Sequence, residues 1–129
     1  YESTERVDQI LQRLEPLPVE VGVALLLPTP LQVLEKLIDK LDLVQLMGIA
    51  RIGSLGHPFD PAVSERIKFL RQRYPDVKIE VDGGVNLTNA EMLISAGADN
   101  LVVGSAIWQS ENVPETISAF KKLINVARR

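Results

Sequence analysis

Four short apolar runs, starting near residues 19, 43, 77 and 100, alternate along this chain with stretches whose apolar residues recur at helical spacing. After Ser3 and Thr4, which supply an N-cap, Val7, Ile10, Leu11 and Leu14 form a helical stripe that Pro16 and Pro18 bring to an end. Val19 to Leu27 then turns β-branched and continuously apolar, which predicts a strand buried on both faces. Thr29-Pro30 opens the next helix, carried by Leu31, Leu34, Leu37, Ile38 and Leu41, and a second strand is expected over Leu43 to Ile49. Asp60-Pro61 starts a helix on Val63, Ile67 and Leu70, and the turn Tyr74-Pro75-Asp76 leads into a third strand, Val77 to Val81. Thr88 caps a short helix through Met92, Leu93 and Ile94 that stops at Gly97. The fourth strand is Asn100 to Val103, and Pro114 opens a last helix with Ile117, Phe120, Leu123 and Ile124 facing inward.

Strict alternation of this kind implies an α/β fold with a parallel sheet, because parallel strands need a crossover and a helix is the usual one. No linker or composition shift divides residues 1–129, which read as one domain. Four strands make a small open sheet or half of a (βα)8 barrel, which takes eight strands and ~200 residues or more.

The bulk numbers exclude more than they assign. With 46% hydrophobic and 24% charged residues in 129, the chain falls in the range of an ordinary soluble domain. Its 14 basic and 17 acidic residues are interspersed, leaving no concentrated positive field for nucleic acid or an anionic membrane. Neither is expected as a partner. The longest apolar run, Val21 to Leu27, is far too short to span a bilayer, and a cytoplasmic location is the default expectation. Without cysteine there are no disulfides and no thiolate metal sites.

Chemistry concentrates where the strands end. Asp82-Gly83-Gly84 follows the third strand and Gly104-Ser105 the fourth. Glycine at such a position lets backbone N–H groups approach a phosphate closely, and adjacent last strands of a barrel commonly build that site. Tight βα turns use glycine for their own sake as well. Asp82 closes an otherwise apolar strand at the end where α/β active sites form, as a turn cap or as a metal ligand and proton-transfer base. Glu80 points the same way by alternation. Met47 lies where the second strand reaches the mouth of the site, either filling a core gap or lining it. The irregular stretch Ala50 to Phe59 is too long for a tight turn; it holds Gly53, Gly56 and His57, the only histidine. A lone imidazole cannot build a histidine-rich metal site. Ser105 lacks an identifiable His and Asp partner for nucleophilic work. Trp108 is expected to pack at a strand–helix junction.

The runs Ile79-Glu80-Val81-Asp82-Gly83-Gly84-Val85-Asn86, Ala96-Gly97-Ala98-Asp99 and Leu101-Val102-Val103-Gly104-Ser105-Ala106-Ile107 resemble the last two strands of ribulose-phosphate 3-epimerases. Gly22-Val23-Ala24-Leu25 with Thr29-Pro30-Leu31 is similar to that family's fifth strand and the following helix start, and Leu43 to Met47 to its sixth strand. The resemblance implies the C-terminal half of a TIM (βα)8 barrel of the ribulose-phosphate-binding type. It implies that Asp82 is a metal-ligating acid/base, that Gly83, Gly84, Gly104 and Ser105 bind phosphate, and that Met47 lines the site. Where the family's loop after strand six usually reads Asn-Pro-Gly-Phe-Gly-Gly, this chain has Ala50-Arg51-Ile52-Gly53-Ser54-Leu55-Gly56-His57, within which Gly53 and Gly56 are the candidate substrate contacts.

The family's metal-binding histidines and second catalytic aspartate belong to strands two and three, and the resemblance implies that this chain starts just after strand four. The resemblance therefore implies a divalent metal of the Zn, Fe or Mn type in the complete barrel and none bound by this piece. The implied reaction is C3 epimerisation of a ketose phosphate, D-ribulose 5-phosphate to D-xylulose 5-phosphate, by the full-length parent. The piece alone is expected to be inactive. Other phosphate-binding barrels, such as a hexulose-phosphate epimerase or a decarboxylase, share the glycine clusters. A non-catalytic half-barrel that binds phosphosugars and dimerises through its open edges is the remaining alternative, so a homo-oligomer is expected.

Overall fold

A computed structural model describes residues 1–50, 53 and 58–127 of the protein. Its centre is a four-stranded sheet of β1 (Gly22–Leu25), β2 (Leu43–Met47), β3 (Lys78–Asp82) and β4 (Asn100–Val102), all neighbours parallel and in sequential order. Helix α1 (Val7–Leu14) precedes β1, α2 (Ala62–Arg73) and α3 (Ala90–Ala96) lie between β2, β3 and β4, and α4 (Ser105–Trp108) and α5 (Val113–Ala127) follow β4. The alternation and its parallel consequence are as the sequence predicts.

Burial departs from the sequence expectation in one systematic way. β1 alternates, with Val23 and Leu25 buried and Gly22 and Ala24 exposed, and Val19, outside the strand, is 54% exposed. The continuously apolar run is thus not a strand buried on both faces. Helices cover only one side of the sheet, where Leu25, Val44, Leu46, Ile79 and Val81 lose all solvent contact against Leu34, Ile67 and Leu93. On the opposite side the registered rows Leu43–Lys78, Gln45–Glu80–Asn100 and Met47–Asp82–Val102 carry nearly all the polar side chains of the strands. In a closed barrel that side is the interior.

Several local expectations are also corrected. The helix from Leu31 to Leu41 is two 3-10 segments, Leu31–Lys36 and Ile38–Lys40. Leu31, Leu34 and Leu37 recur every third residue, which lines up on a 3-10 helix, where side chains three apart eclipse. Ile10, assigned to the inner stripe of the first helix, is 44% exposed, while Leu11 carries the contact with the core. Ser3 and Thr4 do not cap α1: its N-cap is Arg6, without a side-chain cap, and Thr4 instead accepts a hydrogen bond from the Arg6 amide. Neither does Thr88 cap α3, whose N-cap is Asn89, preceded by a knot of Asn86 and Asn89 amides. The stop at Gly97 is as read: φ is +115°, and the Gly97 and Ala98 amides return to Ile94 and Leu93.

Candidate active site

Asp82 is the last residue of β3 and points away from the helices, into the barrel-interior side of the sheet. Alternation dictates this, since Ile79 and Val81 are completely buried on the other face. Glu80 shares the orientation and accepts a hydrogen bond from Asn100 Nδ2 at 3.3 Å. Met47 stands in register with Asp82 and is buried there, outside the helix-side core cluster. Gln45, one pleat back on the same face, donates from Nε2 to Asp82 Oδ2 at 3.3 Å and approaches Met47 Sδ at 3.6 Å. Sequence reading missed Gln45; a polar residue in the middle of an apolar strand was the signal available for it.

Beyond Asp82 the chain turns through Gly83 (φ +99°) and Gly84 (φ +69°), a left-handed pair that residues with a Cβ rarely adopt. Crowding reinforces the requirement, since a Cβ on Gly84 would lie 2.9 Å from that of Phe59. The turn is pinned from the far side, where the Gly84 carbonyl accepts from both Asn86 Nδ2 (3.3 Å) and Asn89 Nδ2 (2.9 Å). Asn86 Oδ1 in turn accepts the Thr88 and Asn89 amides, and Asn89 Oδ1 accepts the Asn86 amide. These asparagines were not singled out in the sequence, although Asx turns are a known use of that residue type.

Gly104 and Ser105 follow β4, where the Gly104 carbonyl accepts the Ile107 and Trp108 amides and starts the one-turn helix α4. A cavity of about 390 Å³ separates the two glycine clusters, lined by Phe59, Gly84, Val85, Asn86, Ser105 and Gln109 among others. The fold therefore brings Gly84 and Ser105 to one concavity, with Asp82 and Gly83 on the strand-ward side of the same turn. Gly53 is elsewhere: it is exposed, with φ +96° and nothing within 4 Å of a Cβ built there. Gly56 and His57 lie outside the described residues. Trp108 does not pack at a strand–helix junction; it is 75% exposed, at the end of α4. Among the described residues, no group of three or more His, Asp or Glu is placed to hold a metal ion, and no helix is long and apolar enough to cross a membrane.

The family model described as "Ribulose-phosphate 3 epimerase family" matches residues 1–108. The chain belongs to that family. It is 34% identical over 128 residues to a ribulose-phosphate 3-epimerase of Schizosaccharomyces pombe, with 99% of this chain and 56% of the relative covered. To the enzymes of the same name from Buchnera aphidicola and Bacillus subtilis it is 37% and 36% identical, spanning 95% and 93% of this chain but 55% and 57% of theirs. The chain thus spans about half the length of the curated relatives it matches.

Among solved structures, a thiamine phosphate pyrophosphorylase from Pyrococcus furiosus superposes with a TM-score of 0.67 at 21% identity, covering 92% of this chain and 55% of the other. A native KDPGal structure gives 0.64 at 18%, covering 92% and 54%. At such identities the likeness concerns the fold alone: four parallel strands with their helices, matched to about half of a TIM-barrel-type enzyme.

Proposed function

We propose that this chain is the phosphate-binding half of a ribulose-phosphate 3-epimerase, and that the full-length protein interconverts D-ribulose 5-phosphate and D-xylulose 5-phosphate in the cytoplasm. The observation that carries the reading is the inward-facing carboxylate of Asp82 at the C-terminal end of β3, set directly against the left-handed Gly83-Gly84 turn. A ketose phosphate bound with its phosphate in the cavity between Gly84 and Ser105 would run its carbon chain back towards Asp82. Backbone amides at the two turns and the Ser105 hydroxyl are the donors for the phosphate. Gly53 and Gly56, in the loop after β2, are further candidate contacts. Asp82 then accepts the proton from C3, and the electron pair left on C3 delocalises to the C2 carbonyl as an enediolate. Return of a proton to the opposite face inverts C3, and it requires a second acid across the substrate.

That second acid has no counterpart on the inward face of these strands: Glu80 lies on the same strand as Asp82 and is hydrogen-bonded to Asn100. The 129-residue chain is accordingly inactive alone in this reading. A divalent metal fits the donor set only in part, because Asp82 offers one carboxylate and the described residues hold no further cluster for it. In the complete barrel the metal's other ligands would come from outside this chain.

A second reading rests on the uncovered sheet face, where Ala24 and Asn100 are exposed and Val102 is 40% exposed. In it, a half-barrel binds phosphosugar without turnover and closes against another copy of itself. One experiment addresses both. Ribulose 5-phosphate epimerisation is assayed with the full-length protein, wild type and Asp82→Asn, while the 129-residue chain is sedimented over a hundredfold concentration range. Turnover by the full-length wild type and its loss in Asp82→Asn support the epimerase. A full-length protein that is inactive, beside a chain that dimerises with concentration, supports the binding module instead.

A further inference from the structure

We infer that Gln45 is a positioning residue for the Asp82 carboxylate, an inference that rests on the reading of Asp82 as the acid/base of the site. The strand itself raises the question. Val44 and Leu46 are fully buried on the helix side, so Gln45 projects to the barrel interior between Leu43 and Met47, where an amide in a strand interior needs a partner. Its direct neighbour in register is Glu80, yet its carboxamide reaches past that residue to the diagonal one, placing Nε2 3.3 Å from Asp82 Oδ2 and 3.6 Å from Met47 Sδ.

Both of those atoms are acceptors, one a carboxylate oxygen and the other a thioether sulfur, so the amide's NH2 end must face them rather than its oxygen. Glu80 is meanwhile engaged from the opposite neighbour by Asn100 Nδ2. Each inward acid therefore has its own neutral amide donor from an adjacent strand, Gln45 for Asp82 and Asn100 for Glu80.

The chemical consequence is directional. A carboxylate rotates about its last bond, and a base must present one oxygen along the line of the departing proton. With Oδ2 held by Gln45, Oδ1 is the oxygen presented to the substrate side. A neutral donor does this without bringing a cation next to the base. Met47 packs against the same amide and restricts where Gln45 can swing.

Two measurements test this, and they separate failure of the contact from failure of the epimerase reading. In the 129-residue chain, the side-chain amide signal of Gln45 is followed by 1H–15N NMR in wild type and in Asp82→Ala, with the backbone amides of Val44 and Leu46 as the check on folding. The Gln45 Nε2 signal is expected to move and lose its exchange protection in Asp82→Ala while those backbone signals hold; an unchanged Gln45 signal overturns the inference whatever the full-length protein does. In the full-length protein, Gln45→Leu should lower kcat for ribulose 5-phosphate roughly tenfold, the loss typical of one hydrogen bond to a charged group, with KM within about twofold. Gln45→Glu, isosteric but without the donor at neutral pH, should do at least as much damage. Unaltered kcat in both variants overturns the positioning role. Absence of turnover in the full-length wild type would instead defeat the epimerase reading, and the NMR comparison would still decide the contact.

Discussion

Gly48 and Gly83 approach so closely that a Cβ on Gly48 would lie 2.4 Å from the Gly83 carbonyl oxygen. The approach follows from Gly48 continuing the β2–β3 ladder past the last strand residues: its amide donates to the Asp82 carbonyl at 2.7 Å, and its own carbonyl accepts the Asp60 amide at 2.8 Å. Gly48 thus sets the height at which the Asp82-Gly83-Gly84 turn leaves the sheet. Gly48→Ala must push backbone against backbone, so it should destabilise the chain by ~1–3 kcal/mol, as overpacking in a tight core does. Gly104→Ala is the control, because a Cβ there meets nothing within 4 Å. Urea unfolding of the two variants beside wild type checks the contrast, and equal midpoints for both would contradict it.

Arg71 performs a related task at the other end of the sheet. Its Nη1 donates to the Pro75 and Val77 carbonyls at 2.6 and 3.0 Å, its Nη2 to the Gly97 carbonyl at 2.9 Å, and Nη2 also pairs with Asp99. Asp99 Oδ2 accepts the Ile79 amide as well, so one guanidinium ties the end of α2, the entry to β3 and the end of α3 together. The bonds to Val77 and Gly97 are part-buried, and losing their donor should cost about 1–2 kcal/mol in Arg71→Ala. Arg71→Lys is expected to recover little, since an ammonium cannot span the same fork of acceptors. Thermal or urea unfolding of both variants tests it; full recovery in Arg71→Lys would mean that charge alone, rather than the fork, holds the junction.

What the sequence made legible, and what it did not, divides along physical lines. The parallel α/β alternation, the glycine turns and the direction of Asp82 follow from local rules: strand pleat, left-handed φ and capping. The extent of burial is a tertiary property, and Val19 to Leu27 misled because an apolar run looks the same whether or not its second face is covered. Val102 on that open side and Trp108 at the end of α4 are apolar residues that read as core in the sequence yet are exposed. Leu31, Leu34 and Leu37 carry a spacing of three that fits a 3-10 segment, but an α-helical stripe also includes that step. Gln45, Asn86 and Asn89 were missed for another reason: each residue type marks its position as unusual, but the partner it acts through, Asp82 on the next strand or the Gly84 carbonyl in the turn, is set by the fold.

The N-terminal residues offer a last test, through Glu2. Its carboxylate accepts the Leu26 amide at 2.9 Å and the Thr29 hydroxyl, while the Tyr1 nitrogen donates to the Ala24 carbonyl at 2.8 Å, so residues 1 and 2 run along the outer edge of β1. Partial burial, the largest single influence, pushes the Glu2 carboxyl up, but opposing influences, foremost the hydrogen bonds from Thr29 and Leu26, outweigh it and hold the group below its ordinary 4.5. A carboxyl depressed in the native state stabilises the fold fully above its unfolded value and loses that contribution as pH falls through the native one. The side chain keeps 31% exposure, and screening by that solvent limits the effect to about 1 kcal/mol or less. The stability difference between wild type and Glu2→Gln should accordingly be constant above about pH 5.5 and shrink steadily on acidification below about pH 4.5. Thr29→Val, lacking the hydroxyl, should reduce the size of that shrinkage while leaving its onset in place, because the onset is set by the unfolded carboxyl. Urea midpoints at half-unit steps between pH 3 and 7 provide the measurement, and a wild-type-to-Gln difference that stays flat across the series would show that the Glu2 carboxylate does not fasten this edge.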